Sequence, residues 1–319
     1  TALMLGYLAE SGVLHHSGDQ WHWSSENFPA ENVSLRTAAA DNFVIIDTTD
    51  PTPRVIGEMD RFSVPTLLHE EAIYLHEGAQ YHVDRLDWDE QKGYVRQVEV
   101  DYYTDANLAV TLKVLDVLSG EARQAPRSHG EVMVSALATI YKKIKLHTHE
   151  NIGWGRIHLP EQEMHTTAYW LTVPPQVVAD LPKGALQGAV VGLSHVLTYL
   201  APLYLMCDPH DLGVVPQVKS PFTEHPTIFV YDSYAGGIGF SQLLYEQHAR
   251  LLDAADELVG ACACEDGCPS CVGTGGDLGH QGKAHTRVLL RGLRAIAAHL
   301  AAPAPPPPPE RWEVSAGVD

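Results

Sequence analysis

Four of the five cysteines in this chain lie within ten residues, in the stretch CACEDGCPSC at 262–271. Because one, three and two residues separate successive cysteines, the thiols can converge on a single point. Zn²⁺ takes four thiolates in a tetrahedron, and an iron–sulfur cluster also accepts four. The spacing predicts a structural zinc site, with an iron–sulfur cluster as the alternative, and its ligands are Cys262, Cys264, Cys268 and Cys271.

The composition agrees with a metal site in a soluble globular protein. The chain has 319 residues, 45% of them hydrophobic, which suffices for two or three domains with a sizeable core. The N-terminal residues do not read as a signal peptide, so we expect a cytoplasmic protein, where disulfides rarely persist. The net charge of −19 argues against nucleic-acid binding over the whole surface, but it permits one basic groove.

Residues 184–206 carry no charged side chain and have the length of a membrane span. Polar residues such as Gln187 and His195 interrupt this stretch, Pro202 would bend it, and no Lys/Arg cluster anchors either end. We therefore predict a buried core helix, and no membrane partner.

The patterns along the chain predict an α+β, multi-domain fold. A helix followed by a hairpin around Ser17 to Asp19 is how a winged helix ends. Short, β-rich segments come next and suggest a small barrel or sandwich. The predicted parts are 1–35, the C-terminal part of a winged helix; 36–125, a β-rich accessory domain; 126–302, an α/β zinc-binding domain; and 303–319, a Pro-rich tail.

The last predicted helix, near 282–300, carries a basic stripe made of Lys283, Arg287, Arg291 and Arg294. Steps of four, four and three residues place these cations on one helical face. The segment 262–300 has a net positive charge within an acidic chain, so the stripe predicts contacts with DNA phosphates. The alternative is a solvated face that pairs with acidic neighbours. Lys142, Lys143 and Lys145 form a second, weaker basic patch.

The sequence YDSYAGGIG at 231–239, a helix, and then CACEDGCPSCVG resemble the C-terminal zinc-binding domain of MrfA/YprA-type DNA helicases. These are superfamily 2 motors related to fungal RecQ-like repair helicases. VIGEMD at 55–60, AIYLHEGAQYHVDRLD at 72–87 and LPEQEMHTTAYWL at 159–171 agree with the resemblance. It covers roughly residues 1–300, and the cysteine motif is its most specific part.

The resemblance implies that the four cysteines bind zinc and that the parent protein unwinds DNA in the 3′-to-5′ direction, driven by ATP, during DNA repair. Its implied partners are single-stranded or forked DNA and its own RecA-like motor domains, and its implied place is the nucleoid-associated cytoplasm. This sequence holds no phosphate-binding loop and no DEAH-like tetrapeptide. ATP and Mg²⁺ would therefore bind only in the motor domains, and we expect this chain alone to have no catalytic residues.

Two other classes of function remain as alternatives. One is a non-enzymatic, zinc-stabilised scaffold for protein interactions. The other is a stand-alone hydrolase, which the lack of a nucleophile constellation disfavours.

Overall fold

The computed structural model describes residues 2–10, 12–18, 20–24, 42–120, 125–274, 276 and 278–301. These residues form the predicted mixture of helices and sheets. The strands are β1 (Leu14–Ser17), β2 (Gln20–Trp23), β3 (Asn42–Asp47), β4 (Arg54–Asp60), β5 (Ile73–His76), β6 (Ala79–Asp87), β7 (Lys92–Val98), β8 (Tyr102–Ser119), β9 (Arg127–Lys145), β10 (Asn151–Arg156), β11 (Gln162–Thr172), β12 (Leu212–Gln217) and β13 (Thr227–Asp232). The α-helices are α1 (Ala2–Glu10), α2 (Val64–Leu67), α3 (Pro175–Ala179), α4 (Leu186–Leu205), α5 (Phe240–Glu246), α6 (His248–Ala261) and α7 (Gly282–Ala301).

The chain divides into two compact units. The first comprises residues 1–115, 131–166 and 232–238, and the second comprises 116–130, 167–231 and 239–319. This division differs from the predicted boundary at 125/126. A boundary predicted from composition assumes that each domain is one continuous segment, whereas here the long strands β8, β9 and β11 each run from one unit into the other.

The predicted N-terminal helix and hairpin are both present in the first unit. Strands β1 and β2 pair antiparallel, with Ser17 opposite Gln20, and the turn begins at Gly18 with a φ of 61°. Such a positive φ favours glycine, which explains the tight connection. The assignment to a winged helix stays a prediction.

A five-stranded sheet in the first unit has the order β4-β3-β7-β6-β5, in which β3 runs parallel to β7 and the other pairs are antiparallel. Strand β3 alternates between partly and fully buried residues, and this places Phe43 and Ile45 in the core. Val64 and Leu68, in and just after α2, complete the core with Val83 of β6. The alternation has its usual cause, one buried face per strand.

The first unit also contains a hairpin of β9 and β10. Trp154 lies opposite Lys142, and Gly155 lies opposite Tyr141. A Cβ atom at Gly155 would lie 2.5 Å from the Tyr141 ring, so only glycine allows this ring to pack against the strand. Strand β9 also pairs with β8. The sequence YVRQVEVDYYT at 94–104 predicts a single strand, but in the structure β7 ends at Val98 and β8 begins at Tyr102.

The second unit packs helices against a sheet in which β13 lies between β11 and β12. β11 and β13 are antiparallel, and both are nearly fully buried from Tyr169 to Leu171 and from Ile228 to Val230. Helices α4, α6 and α7 contact one another and contribute the remaining apolar core. This helix cluster positions the cysteine loop, which we define as residues 262–271.

Helix α4 confirms the prediction of a buried core helix. It is the one helix in the described part of the chain that is long and apolar enough to cross a bilayer, and 61% of that stretch is buried inside the protein. Small residues allow close packing here. A Cβ atom at Gly188 would lie 2.1 Å from the Leu278 carbonyl oxygen, and one at Gly192 would lie 2.2 Å from the Thr286 hydroxyl.

Candidate metal centre

The cysteine loop begins where α6 ends, at Ala261, and it brings all four predicted ligands together. The Sγ atom of Cys262 lies 3.5 Å from those of Cys264 and Cys268, and the Sγ of Cys271 lies 3.4 Å from Cys264 and 3.6 Å from Cys268. All four sulfurs lie within 4.8 Å of one another. Sequence reasoning therefore located the cluster correctly.

These distances fit a single zinc ion. Zn–S bonds of about 2.3 Å in a tetrahedron place the sulfurs about 3.8 Å apart, and the four sulfur–sulfur distances of 3.4–3.6 Å given above come close to that value. A cluster of two or four irons needs several metal and sulfide atoms between its thiolates. Four sulfurs this close surround one ion, so the geometry favours zinc over the iron–sulfur alternative.

The loop folds tightly on itself around the second pair of cysteines. The carbonyl oxygen of Cys268 accepts hydrogen bonds from the N–H groups of Cys271 and Gly273, both at 3.0 Å. Gly267 has a φ of 141°, and a Cβ atom there would lie 2.7 Å from the Gly273 carbonyl oxygen. Glycine is thus needed at 267 both for its backbone conformation and for close approach.

Side chains from two helices hold this loop. His195 of α4 has its Nε2 atom 2.9 Å from the carbonyl oxygen of Pro269, to which the Nε2–H tautomer donates. The ammonium group of Lys283, on α7, donates to the carbonyl oxygens of Cys262 at 2.5 Å and Cys264 at 2.7 Å. Lys283 is only 8% exposed. A buried cation beside four thiolates and one Zn²⁺, which together carry two negative charges, is electrostatically favourable.

The thiols differ in acidity before any metal binds. The backbone N–H of Cys264 and neighbouring thiols donate to the Cys262 sulfur and lower its pKa to about 7. Burial raises the pKa of Cys271 to about 12. Thiolates are the form that binds zinc, so loading the site releases protons, and zinc affinity falls as the pH falls.

The basic stripe does not form the predicted ridge of four phosphate contacts. Lys283 is buried against the cysteine loop, and Arg294 pairs with Asp253 at 2.7 Å and with Asp256, both on α6. The helical spacing was predicted correctly. However, the acidic side chains of α6 pair with Arg294, and the carbonyl oxygens of the loop accept hydrogen bonds from Lys283. Arg287 is half-buried, and Arg291 is exposed. DNA contact remains a prediction for these two residues.

Comparisons with known proteins identify this site. The family model of the MrfA Zn-binding domain matches residues 193–272, a stretch that includes all four cysteines. The ATP-dependent helicase YprA of Bacillus subtilis is 52% identical over 273 residues, which cover 85% of this chain and 36% of YprA. The chain corresponds to the C-terminal region of MrfA/YprA-type helicases, including their zinc-binding domain.

Two further comparisons agree. The ATP-dependent helicase HRQ1 of Saccharomyces cerevisiae is 24% identical over 278 residues, or 81% of this chain and 26% of HRQ1. The crystal structure of the DUF1998 helicase MrfA bound to DNA matches with a TM-score of 0.59 and 49% identity, over 92% of this chain and 39% of MrfA. The chain thus spans about a quarter to two fifths of the length of these relatives.

Sequence reasoning missed the two side chains that hold the cysteine loop. Lys283 was assigned to the wrong environment, and His195 was seen only as a polar interruption of an apolar helix. A single histidine in an otherwise uncharged helix was the available signal, because a polar group in such a place needs a hydrogen-bond partner.

Proposed function

We propose that this chain is the non-motor accessory region of an ATP-dependent DNA helicase, and that zinc has a structural role in it. The observation that supports the structural role is the set of four protein thiolates at tetrahedral spacing. These thiolates fill every position of a four-coordinate ion, which leaves none for water or substrate. When bound, the ion supplies folding energy and Lewis acidity that no substrate can reach.

The protein's own residues connect this centre to the helices. The cysteine loop follows α6 directly, His195 reaches it from α4, and Lys283 reaches it from α7. An ion that fixes the loop therefore fixes the relative positions of three helices. We propose that the role of the centre is to keep the α7 surface in one orientation.

That surface is our candidate for guiding a DNA strand. Arg291 is exposed and Arg287 is half-buried on α7, and the relative MrfA has been crystallised with DNA and with DNA and AMPPNP. We propose single-stranded or forked DNA and RecA-like motor domains as partners. The parent protein would unwind DNA in the 3′-to-5′ direction, act in DNA repair and work in the cytoplasm.

The test is binding of this chain to a labelled single strand and a labelled fork, measured by fluorescence anisotropy at several salt concentrations. We expect salt-dependent binding, and Arg287→Gln combined with Arg291→Gln should flatten the slope of log affinity against log salt by about 1.4, from about 0.7 per contact. If the wild-type chain does not bind DNA at low salt, the proposal is contradicted and the protein-interaction scaffold is favoured.

A further inference from the structure

The hairpin of β9 and β10 presents an exposed aromatic ring between basic side chains. Trp154 is 64% exposed. Trp154 lies opposite Lys142, and Arg156 lies opposite Ile140. Directly opposed residues of an antiparallel pair share a face of the sheet. These four residues, which we name the Trp154 face, line a shallow groove of about 470 Å³ together with Asn151.

The outward position of the ring is fixed by the backbone. Neighbouring residues of a strand point to opposite faces, and Gly153 and Gly155 flank Trp154. On the opposite face the Tyr141 ring, which is 7% exposed, packs against Gly155 so closely that a Cβ atom would clash. The indole ring therefore projects from a well-packed strand and not from a loop.

The charge of the hairpin contrasts with the rest of the chain. Residues 139–159 contain four Lys or Arg residues and a single acidic residue, Glu150, in a chain of net charge −19. Lys142 and Arg156 are exposed, and neither forms an ion pair within the described residues. Lys143 points to the opposite face, where it lies 3.7 Å from Glu71. Two positive charges on the Trp154 face are thus available to an external anion.

We infer that the Trp154 face binds single-stranded DNA. A base stacks on the Trp154 indole ring, and Lys142 and Arg156 contact the phosphates on either side of that base. This inference rests on the proposed function, that the region handles a DNA strand, and it adds a surface in the first unit. Single strands are bound in this way, by aromatic rings that stack bases within a basic groove.

The chemistry of the face selects this partner over others. A duplex offers phosphates but keeps its bases paired inside. An acidic peptide would satisfy Lys142 and Arg156 without needing the flat face of an indole ring. An unpaired strand supplies the π-face of a base and its flanking phosphates together, which matches an indole ring between two cations.

The experiment measures binding of the whole 319-residue chain to a fluorescein-labelled oligothymidylate of about 15 nucleotides, a length near the upper end of the site sizes of single-strand-binding domains. Trp154→Ala should weaken the affinity about 5- to 150-fold, the loss expected for one stacked base. Trp154→Phe should retain most of the affinity because it keeps a ring. Trp154→Leu should behave like alanine although it keeps an apolar side chain.

The charged residues are tested separately. Lys142→Gln combined with Arg156→Gln should flatten the salt slope by about 1.4. Lys219→Gln, which removes an exposed lysine outside the hairpin, should leave the slope unchanged. Thermal unfolding of each variant should match that of the wild type, because the three substituted residues of the Trp154 face are all exposed.

Each outcome decides between the proposals. If the wild type binds and the Trp154 and Lys142/Arg156 variants bind equally well, the inference is overturned while the proposed function stands. If Trp154→Leu binds as tightly as Trp154→Phe, the face is an apolar docking surface and the inference is overturned. If the wild type binds no single strand, both proposals fail.

Discussion

Replacing Lys283 with methionine tests how the zinc centre is held. Lys283 is 8% exposed, and its ammonium group donates to two carbonyl oxygens of the cysteine loop, at 2.5 and 2.7 Å. Hydrogen bonds that involve a charged group contribute about 1.5–3 kcal/mol each, or about 3–6 kcal/mol for two. Desolvation of the buried ammonium offsets part of this. Methionine keeps the apolar stem, so we expect the free energy of unfolding to fall by about 2–4 kcal/mol.

The same substitution should weaken zinc binding. Residues that orient metal ligands typically change metal affinity by about 10- to 100-fold when mutated. The assays are urea unfolding followed by circular dichroism, and competition for zinc with a chromophoric chelator. DNA binding supplies a third readout, because a buried Lys283 contacts no phosphate, and its removal should leave the salt slope unchanged.

Arg291→Met is the matched control on the same helix. Arg291 is exposed, so its loss should change stability by no more than about 0.5 kcal/mol and should leave zinc affinity unchanged. The reasoning is refuted if Lys283→Met retains wild-type stability and zinc affinity, or if it flattens the salt slope of DNA binding as a phosphate contact would.

Three other predictions test different parts of the account. Cys268→Ser should lower zinc affinity and expose the loop to proteolysis, because a serine hydroxyl replaces a thiolate ligand; limited digestion with a glutamate-specific protease, which can cleave after Glu265 in the loop, with and without a chelator would show this, and identical digestion patterns would contradict it. The isolated chain should show no DNA-stimulated ATP hydrolysis in a phosphate-release assay, and measurable turnover would contradict the assignment of the motor to other domains. The Nδ1 atom of His248 lies 2.6 Å from the Tyr169 hydroxyl oxygen, with which it forms a hydrogen bond, and burial lowers the pKa of His248 from 6.5 to about 4. The unfolded chain therefore binds more protons between pH 6.5 and 4, so the free energy of unfolding should fall by about 3 kcal/mol as the pH falls through this window. Urea unfolding of the wild type and of His248→Gln at several pH values would measure this, and an equal pH dependence in both would contradict it.

Local patterns predicted the elements well where one physical cause dominates. The sequence NFVIID at 42–47 predicts a strand, and β3 has those bounds. Helix α4 is the buried helix that its uncharged sequence predicts. Local patterns failed where pairing partners decide the outcome. Tyr102 reads equally well as the end of one strand or the start of the next, and it belongs to β8 because that strand pairs with β9.

In the candidate site, too, local sequence patterns predicted some features and missed others. The cysteine spacing sufficed to predict the ligands, because all four lie within one short loop. Helical spacing correctly grouped Lys283 and Arg294 with the other cations of the basic stripe, but it holds no information about the surface opposite. Asp253, Asp256 and the loop carbonyls take these two cations, and such contacts between distant segments are visible only in the folded chain.

The most direct test of the account is the metal content and coordination of the purified chain. Elemental analysis combined with X-ray absorption at the zinc edge should give one zinc per chain, surrounded by four sulfur atoms at about 2.3 Å. Cys262→Ser should reduce the sulfur count to three. A purified chain that carries iron with visible absorbance, or that is stably folded and contains no metal, would contradict the central claim.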